Sequence, residues 1–147
     1  MNISDIISGN ASISPNGKAI VQGDSGRIIT WLELEKMVNK LGNALTFLGV
    51  KRGDVVAIYL PNCPEFIITY FAAMKIGAIA LPFNIIFKTG EISYIMNDSG
   101  AKVMVGASPE LEQNVIQERE QFPGLEKIVT VGTPLKDAID FNLLLAA

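Results

Sequence analysis

The stretch from Val55 to Asn84 constrains this chain more than any other. Val55 to Leu60 is continuously apolar and partly β-branched, the mark of a strand buried on both faces. Pro61 stops it. Asn62 or Cys63 is placed to cap a helix whose first turn carries Pro64 and Glu65, a ring that fits the first helical position and a charge that favours the positive end of the helix dipole. From Phe66 to Ile76 only Thr69, Tyr70 and Lys75 bear polar side-chain groups, so this helix is expected to be packed on most sides. Gly77 suits a left-handed C-cap. Ala78 to Leu81 reads as a second short strand, ended by Pro82. Strand, helix and strand in that order make a βαβ unit, with parallel strands and a right-handed crossover. The rival reading is a membrane span, because Phe66 to Phe87 carries one charge, Lys75, and exceeds the ~20 residues a bilayer requires. Against it, Gly77, Pro82 and Asn84 crowd one half, a central charge costs about 2.5–3.5 kcal/mol on insertion, and no basic cluster flanks either end.

Before this unit, residues 1–18 are rich in Ser, Asn, Gly and Pro and read as a loosely held arm; residues 19–147 read as the α/β domain. Ala19–Gln22 and Arg27–Ile29 flank Gly23-Asp24-Ser25-Gly26, which is turn chemistry and predicts a β-hairpin. Thr30-Trp31-Leu32-Glu33 is a capping box. Trp31, Leu34, Val38, Leu41, Leu45 and Leu48 then recur in steps of three and four, one apolar stripe facing a core. Gly49 ends that helix, and Lys51-Arg52-Gly53-Asp54 reads as an exposed turn.

After Asn84 comes an apolar loop, Ile85 to Lys88. Thr89 is placed to cap a helix that runs through Met96, and Ala101 to Val105 reads as a third buried strand. Ser108-Pro109-Glu110 predicts another helix start, with a helix running to about Gln121, and Lys127 to Val131 reads as a fourth strand. One helix plus one strand fills the interval between successive strands. The expected architecture is therefore α/β, a mostly parallel buried sheet with flanking helices, preceded by an antiparallel hairpin. The apolar end, Leu143 to Ala147, reads either as a final helix docked on the core or as a chain cut before its partner surface arrives.

Composition excludes several chemistries. With 49% apolar and 18% charged residues the chain has a large core, and its 147 residues fit one domain or part of a larger one. A net charge of −3 without a basic patch gives nucleic-acid binding no electrostatic support. The absence of histidine removes Ser-His-Asp and Cys-His catalysis and the commonest zinc ligand. A single cysteine permits no internal disulfide and fits a reducing compartment. The first twenty residues lack a secretory pattern, Met1 suggests the natural N-terminus, and the cytoplasm is the expected location. Neither Gly-x-x-x-x-Gly-Lys-Ser/Thr nor Gly-x-Gly-x-x-Gly occurs. The acidic pairs Asp137/Asp140 and Glu110/Glu112 are expected to be solvated. Cys63 lacks an activating histidine and reads as a small apolar group. Asn62 and Asn84 follow the C-terminal ends of adjacent strands, where open α/β sheets bind ligands; the plainer expectation is that each caps a helix or a turn.

The combination resembles the AMP-forming adenylating enzymes, the superfamily of acyl-CoA synthetases, adenylation domains and firefly luciferase. The residues that carry it are Ile29 to Leu34, Ala44-Leu45, Gly53 to Ala57, Leu60 to Phe66, Ala72 to Ala78, Pro82 to Asn84 and Glu91 to Lys102. They cover most of residues 15–131 in the family's order, with a flavour closer to fatty-acid–CoA ligases than to peptide-synthetase modules. The resemblance implies an enzyme that uses ATP and Mg2+ to turn a carboxylic acid into an acyl-adenylate, releases pyrophosphate, and passes the acyl group to CoA. It also implies that this chain is only the N-terminal part of such an enzyme. The family's Ser/Thr/Gly-rich phosphate loop, its adenine and ribose motifs and its lid lysine have no counterpart here. No catalytic, cofactor-binding or metal-ligating residue is therefore assigned, the chain alone is expected to be inactive, and the open apolar end leans toward a cut chain. Bare apolar surface could drive self-association. The alternatives are a naturally short, non-catalytic interaction module, a membrane-associated protein using Phe66 to Phe87, and an adenylation domain from another branch of the superfamily.

Overall fold

The computed structural model describes residues 2–146, so readings that rest on Met1 or Ala147 lie outside the described residues. The elements are α1 (Asp5–Ile13), β1 (Lys18–Val21), β2 (Ile28–Thr30), α2 (Trp31–Phe47), β3 (Val55–Tyr59), α3 (Pro64–Lys75), β4 (Ile79–Pro82), α4 (Thr89–Ser99), β5 (Val103–Ala107), β6 (Lys127–Val131), β7 (Ile139–Asp140) and α5 (Phe141–Ala146). Strands β3 to β7 form one sheet in the order β4-β3-β5-β6-β7, every pair parallel. The hairpin β1–β2 is a separate antiparallel sheet.

Alternation along each strand builds two cores, one on each face. Val56, Ile58, Val103, Val105 and Val129 face α2, α3 and α5; Ala57, Tyr59, Met104 and Ile128 face α4 and the segment before β6. Burial on both faces is why these strands are apolar throughout. The stripe on α2 behaves as its spacing requires, with Leu34, Val38, Leu41 and Leu45 buried. Its capping box is complete: Glu33 N–H donates to Thr30 Oγ1 at 3.2 Å and Thr30 N–H donates to the Glu33 carboxylate at 3.0 Å. Helix α3 is apolar because it packs on both the sheet and α2. Its Ile68, Thr69, Ala72 and Ala73 are buried, and the Thr69 hydroxyl is satisfied within the helix, donating to the Glu65 carbonyl at 2.7 Å. After α3, Gly77 takes φ +78° and turns the chain into β4. Phe66–Phe87 is thus divided among a helix, a strand and a loop. Among the described residues no helix is long and apolar enough to cross a membrane.

Four local expectations are corrected. Residues 1–18 are not all a loose arm: Asp5–Ile13 form α1, which buries Ile7 and Ala11 in the core beside α2. The amide of Asn2 also donates to the Met74 carbonyl at 2.6 Å. Thr89 does not cap α4. The cap position is Lys88, whose N–H donates to the Glu91 carboxylate, while the Thr89 hydroxyl donates to the Asn114 carbonyl at 2.9 Å. No α-helix runs from Pro109 to Gln121. A π-helical turn (Glu112–Ile116) and a short 3-10 turn (Arg119–Gln121) stand there instead, with Leu111 and Val115 buried and Asn114 bonded to Tyr59. Finally, β7 adds a fifth strand that was not expected. The apolar end folds as α5, with Phe141 buried and Leu144 and Leu145 packed against the core.

Candidate functional site

A crevice follows from the topology. From β3 the chain passes to α3 on one face of the sheet, and from the neighbouring β4 it passes to α4 on the other. The loops leaving the C-terminal ends of these two strands therefore diverge, at the carboxyl edge of the sheet where open α/β sheets bind ligands. The structure has a concavity of about 470 Å³ at that point, bounded by Pro61, Asn62 and Phe66 on the β3 side and by Pro82, Asn84 and Ile85 on the β4 side.

Asn62 and Asn84 are brought together there, and they are not equivalent. Asn84 does turn work, its Oδ1 accepting from Ile86 N–H at 3.1 Å. Asn62 is not the cap of α3. That position belongs to Cys63, which makes no side-chain capping bond, and Asn62 is left exposed at the rim. Cys63 is half-buried, and loss of hydration pushes its thiol up from the usual range, with the Glu65 charge acting the same way against the lowering effect of the Phe66 and Glu65 N–H groups. At neutral pH it is a thiol and not a thiolate nucleophile. Arg27 from the turn after β1 pairs with Glu65 at 2.9 Å and ties the hairpin to the first turn of α3.

The acidic residues go elsewhere. Asp54 accepts from Lys51 N–H at 2.8 Å and pairs with Lys102 at 3.3 Å, which together hold its carboxyl below the usual range against some desolvation. Asp140 accepts from Asn142 N–H at 2.8 Å at the start of α5. Among the described residues no group of three or more Cys, Asp and Glu side chains could hold a metal ion. The described residues do not fit a nucleotide–magnesium site either, since no Gly-x-x-x-x-Gly-Lys-Ser/Thr loop occurs in the sequence to cradle the phosphates. Tyr59 escaped the sequence reading. The signal was a lone tyrosine in an otherwise aliphatic strand, whose hydroxyl must find a partner when buried.

The fold and crevice define a doubly wound α/β domain of the kind that presents ligands at the carboxyl edge of its sheet. The AMP-binding enzyme family model matches residues 8–143, and the chain belongs to that family. The long-chain-fatty-acid–CoA ligase FadD13 of Mycobacterium tuberculosis is 34% identical over 108 residues, which is 74% of this chain and 22% of that protein. The acetyl-coenzyme A synthetase of Methanothrix thermoacetophila is 38% identical over 131 residues, 80% of this chain and 20% of that protein. Among solved structures, the anthranilate CoA ligase AuaEII in complex with anthranoyl-AMP superposes with a TM-score of 0.92 at 31% identity, covering 99% of this chain and 28% of that one. The N-terminal domain of FACL13 from Mycobacterium tuberculosis superposes with a TM-score of 0.86 at 27% identity, covering 99% of this chain and 35% of that one. The chain thus spans between a fifth and about a third of the length of these relatives.

Proposed function

We propose that this chain is the N-terminal part of an AMP-forming acid–CoA ligase that converts a carboxylic acid, ATP and CoA to acyl-CoA, AMP and pyrophosphate. The observation that carries the reading is the family match over residues 8–143, joined by relatives that are themselves named CoA ligases or synthetases. The reaction has a plain chemical logic. A carboxylate is a poor electrophile, and adenylation gives it a leaving group that the CoA thiol can displace. ATP and Mg2+ are assigned to parts of the whole enzyme beyond these residues.

This chain contributes a rigid parallel sheet and one wall of a ligand-facing crevice. The acid is a fatty or other acyl acid, in keeping with relatives that are a long-chain-fatty-acid–CoA ligase and an acetyl-coenzyme A synthetase. The cytoplasm is the proposed compartment, in keeping with a lone cysteine. The isolated chain leaves Phe47 91% exposed beside Ala44 and Leu144, and we expect weak self-association there, readable by sedimentation velocity. The test of function is expression of the complete reading frame and an assay for acid- and CoA-dependent AMP release over acids of increasing length. The 147-residue chain should give no acyl-CoA under the same conditions. Turnover by that chain, or none by the complete protein with any acid, would overturn the reading.

A further inference from the structure

We propose that Tyr59 is a positioning residue, its side chain clamping both ends of the β4–α4 loop that walls the crevice. This rests on the crevice being the ligand-facing surface of the domain. Tyr59 stands in β3, between β4 and β5, and is fully buried. Its ring meets Phe83 edge-on, with centroids 6.4 Å apart and planes at 87°. Its hydroxyl donates to the Phe87 carbonyl at 2.7 Å and accepts from Asn114 Nδ2 at 3.0 Å. One side chain therefore holds the loop at Phe83, where it leaves the sheet, and at Phe87, just before α4.

The brace is itself braced, since the Thr89 hydroxyl donates to the Asn114 carbonyl at 2.9 Å. Between the two anchors lie Asn84 and Ile85, which line the crevice, and Ile86, which is 71% exposed. The loop's own amide bonds are local. Ile86 N–H donates to Asn84 Oδ1, Phe87 N–H to the Asn84 carbonyl, and Lys88 N–H to the Glu91 carboxylate. None of these three fixes the loop to the sheet. At its first end the loop is held to β3 by Phe83 N–H, which donates to the Ile58 carbonyl at 2.8 Å, and Ile85 and Phe87 pack against the core; the side-chain hydrogen bond that ties its far end to the sheet comes from Tyr59.

The experiment is residue-level hydrogen exchange on this chain and its Tyr59→Phe variant, which keeps the ring and removes the hydroxyl. Losing one net hydrogen bond speeds exchange at Ile86, Phe87 and Lys88 by about fivefold, within a range of roughly two- to twelvefold, while amides of α2 stay unchanged. Asn114→Ala removes the brace without opening the core and is expected to move the same three amides in the same direction, by about twofold. Exchange that is unchanged at those amides, or that rises equally in α2 and at the loop, overturns the proposal; should Tyr59→Phe not fold, the Asn114→Ala result decides alone by the same criteria. In the complete protein Tyr59→Phe is expected to raise KM with kcat and its pH profile little altered, as for a wall that has loosened. Failure of the complete protein to make acyl-CoA would remove the ligase reading and leave the exchange result standing.

Discussion

Gly106 offers a prediction in which two physical effects oppose each other and the sign decides. It sits on β5 in register with Tyr59 on β3 and Thr130 on β6. A methyl group built on it would lie 2.9 Å from Leu111 Cδ1, 3.1 Å from the Tyr59 carbonyl oxygen and 3.4 Å from Leu111 Cβ. Leu111 and Tyr59 are both fully buried, so neither has free space to retreat into. The backbone of Gly106 is not left-handed. On conformational grounds alone, Gly106→Ala would therefore stabilise by about 0.4–1 kcal/mol, by restricting the unfolded chain. Forcing a methyl into a packed core costs about 1–3 kcal/mol. The clash outweighs the entropy, and the expected net loss is about 1–2 kcal/mol, or roughly 3–6 °C in Tm for a chain of this size. Urea titration should show a lower midpoint with an unchanged slope. Leu111→Ala removes the nearest obstacle, so the double variant should lose less than the sum of the two single losses, by about 0.5–2 kcal/mol. A Gly106→Ala protein more stable than the parent, or strict additivity with Leu111→Ala, would refute the steric reasoning.

Three further outcomes are expected. Thr30→Ala removes the capping acceptor of α2 and costs about 1 kcal/mol, while Thr30→Ser retains most of it, both read by thermal melts. Glu65→Gln breaks the pair with a partly exposed Arg27 and costs less than about 1 kcal/mol, a difference that should disappear in ~1 M salt. The Tyr59 phenol is pushed above its ordinary value of 10.0, chiefly by burial, with the Asn114 bond opposing. The unfolded chain therefore releases this proton first, so the contribution is fully present below about pH 10 and is lost as pH rises from there toward the folded-state value. Melts of the parent and Tyr59→Phe across that window should show a shallower decline in the variant.

Much of the fold was legible because its signals are local. The continuous apolar run in β3, the capping box of α2 and its stripe of Leu34, Val38, Leu41 and Leu45 each carry their own physical cause within a few residues. What was not legible depends on tertiary partners. The composition of Asp5–Ile13 is poor for a helix, and α1 exists because Ile7 and Ala11 find the core beside α2. The segment after Pro109 has sound helix-start chemistry, yet the packing of Leu111 and Val115 and the bond from Asn114 to Tyr59 accompany a wider turn. Strand β7 has two residues and is too short for any pattern to announce it. The crevice was half legible. Asn62 and Asn84 mark it by their place after adjacent strands, but which of them turns the chain and which stays free depends on where α3 begins.

Under the ligase reading proposed above, the lining of that crevice also bounds what this chain can contribute. Leu60, Pro61, Phe66, Pro82, Phe83 and Ile85 are apolar, and the two asparagines are neutral across the accessible pH range. Such a surface can shape a ligand and exclude water, and an amide can donate or accept a hydrogen bond. It cannot transfer a proton, and it has no charge with which to neutralise a phosphate. Under that reading its influence on turnover runs through fit, position and hydrogen bonding, without proton transfer. Asn62→Ala in the complete protein should change KM for whichever substrate meets the rim, with the pH dependence of kcat/KM left where it was. A shifted pH profile would mean that Asn62 touches a titrating group brought by the rest of the enzyme, and that the crevice lies closer to the reacting atoms than its neutral walls suggest.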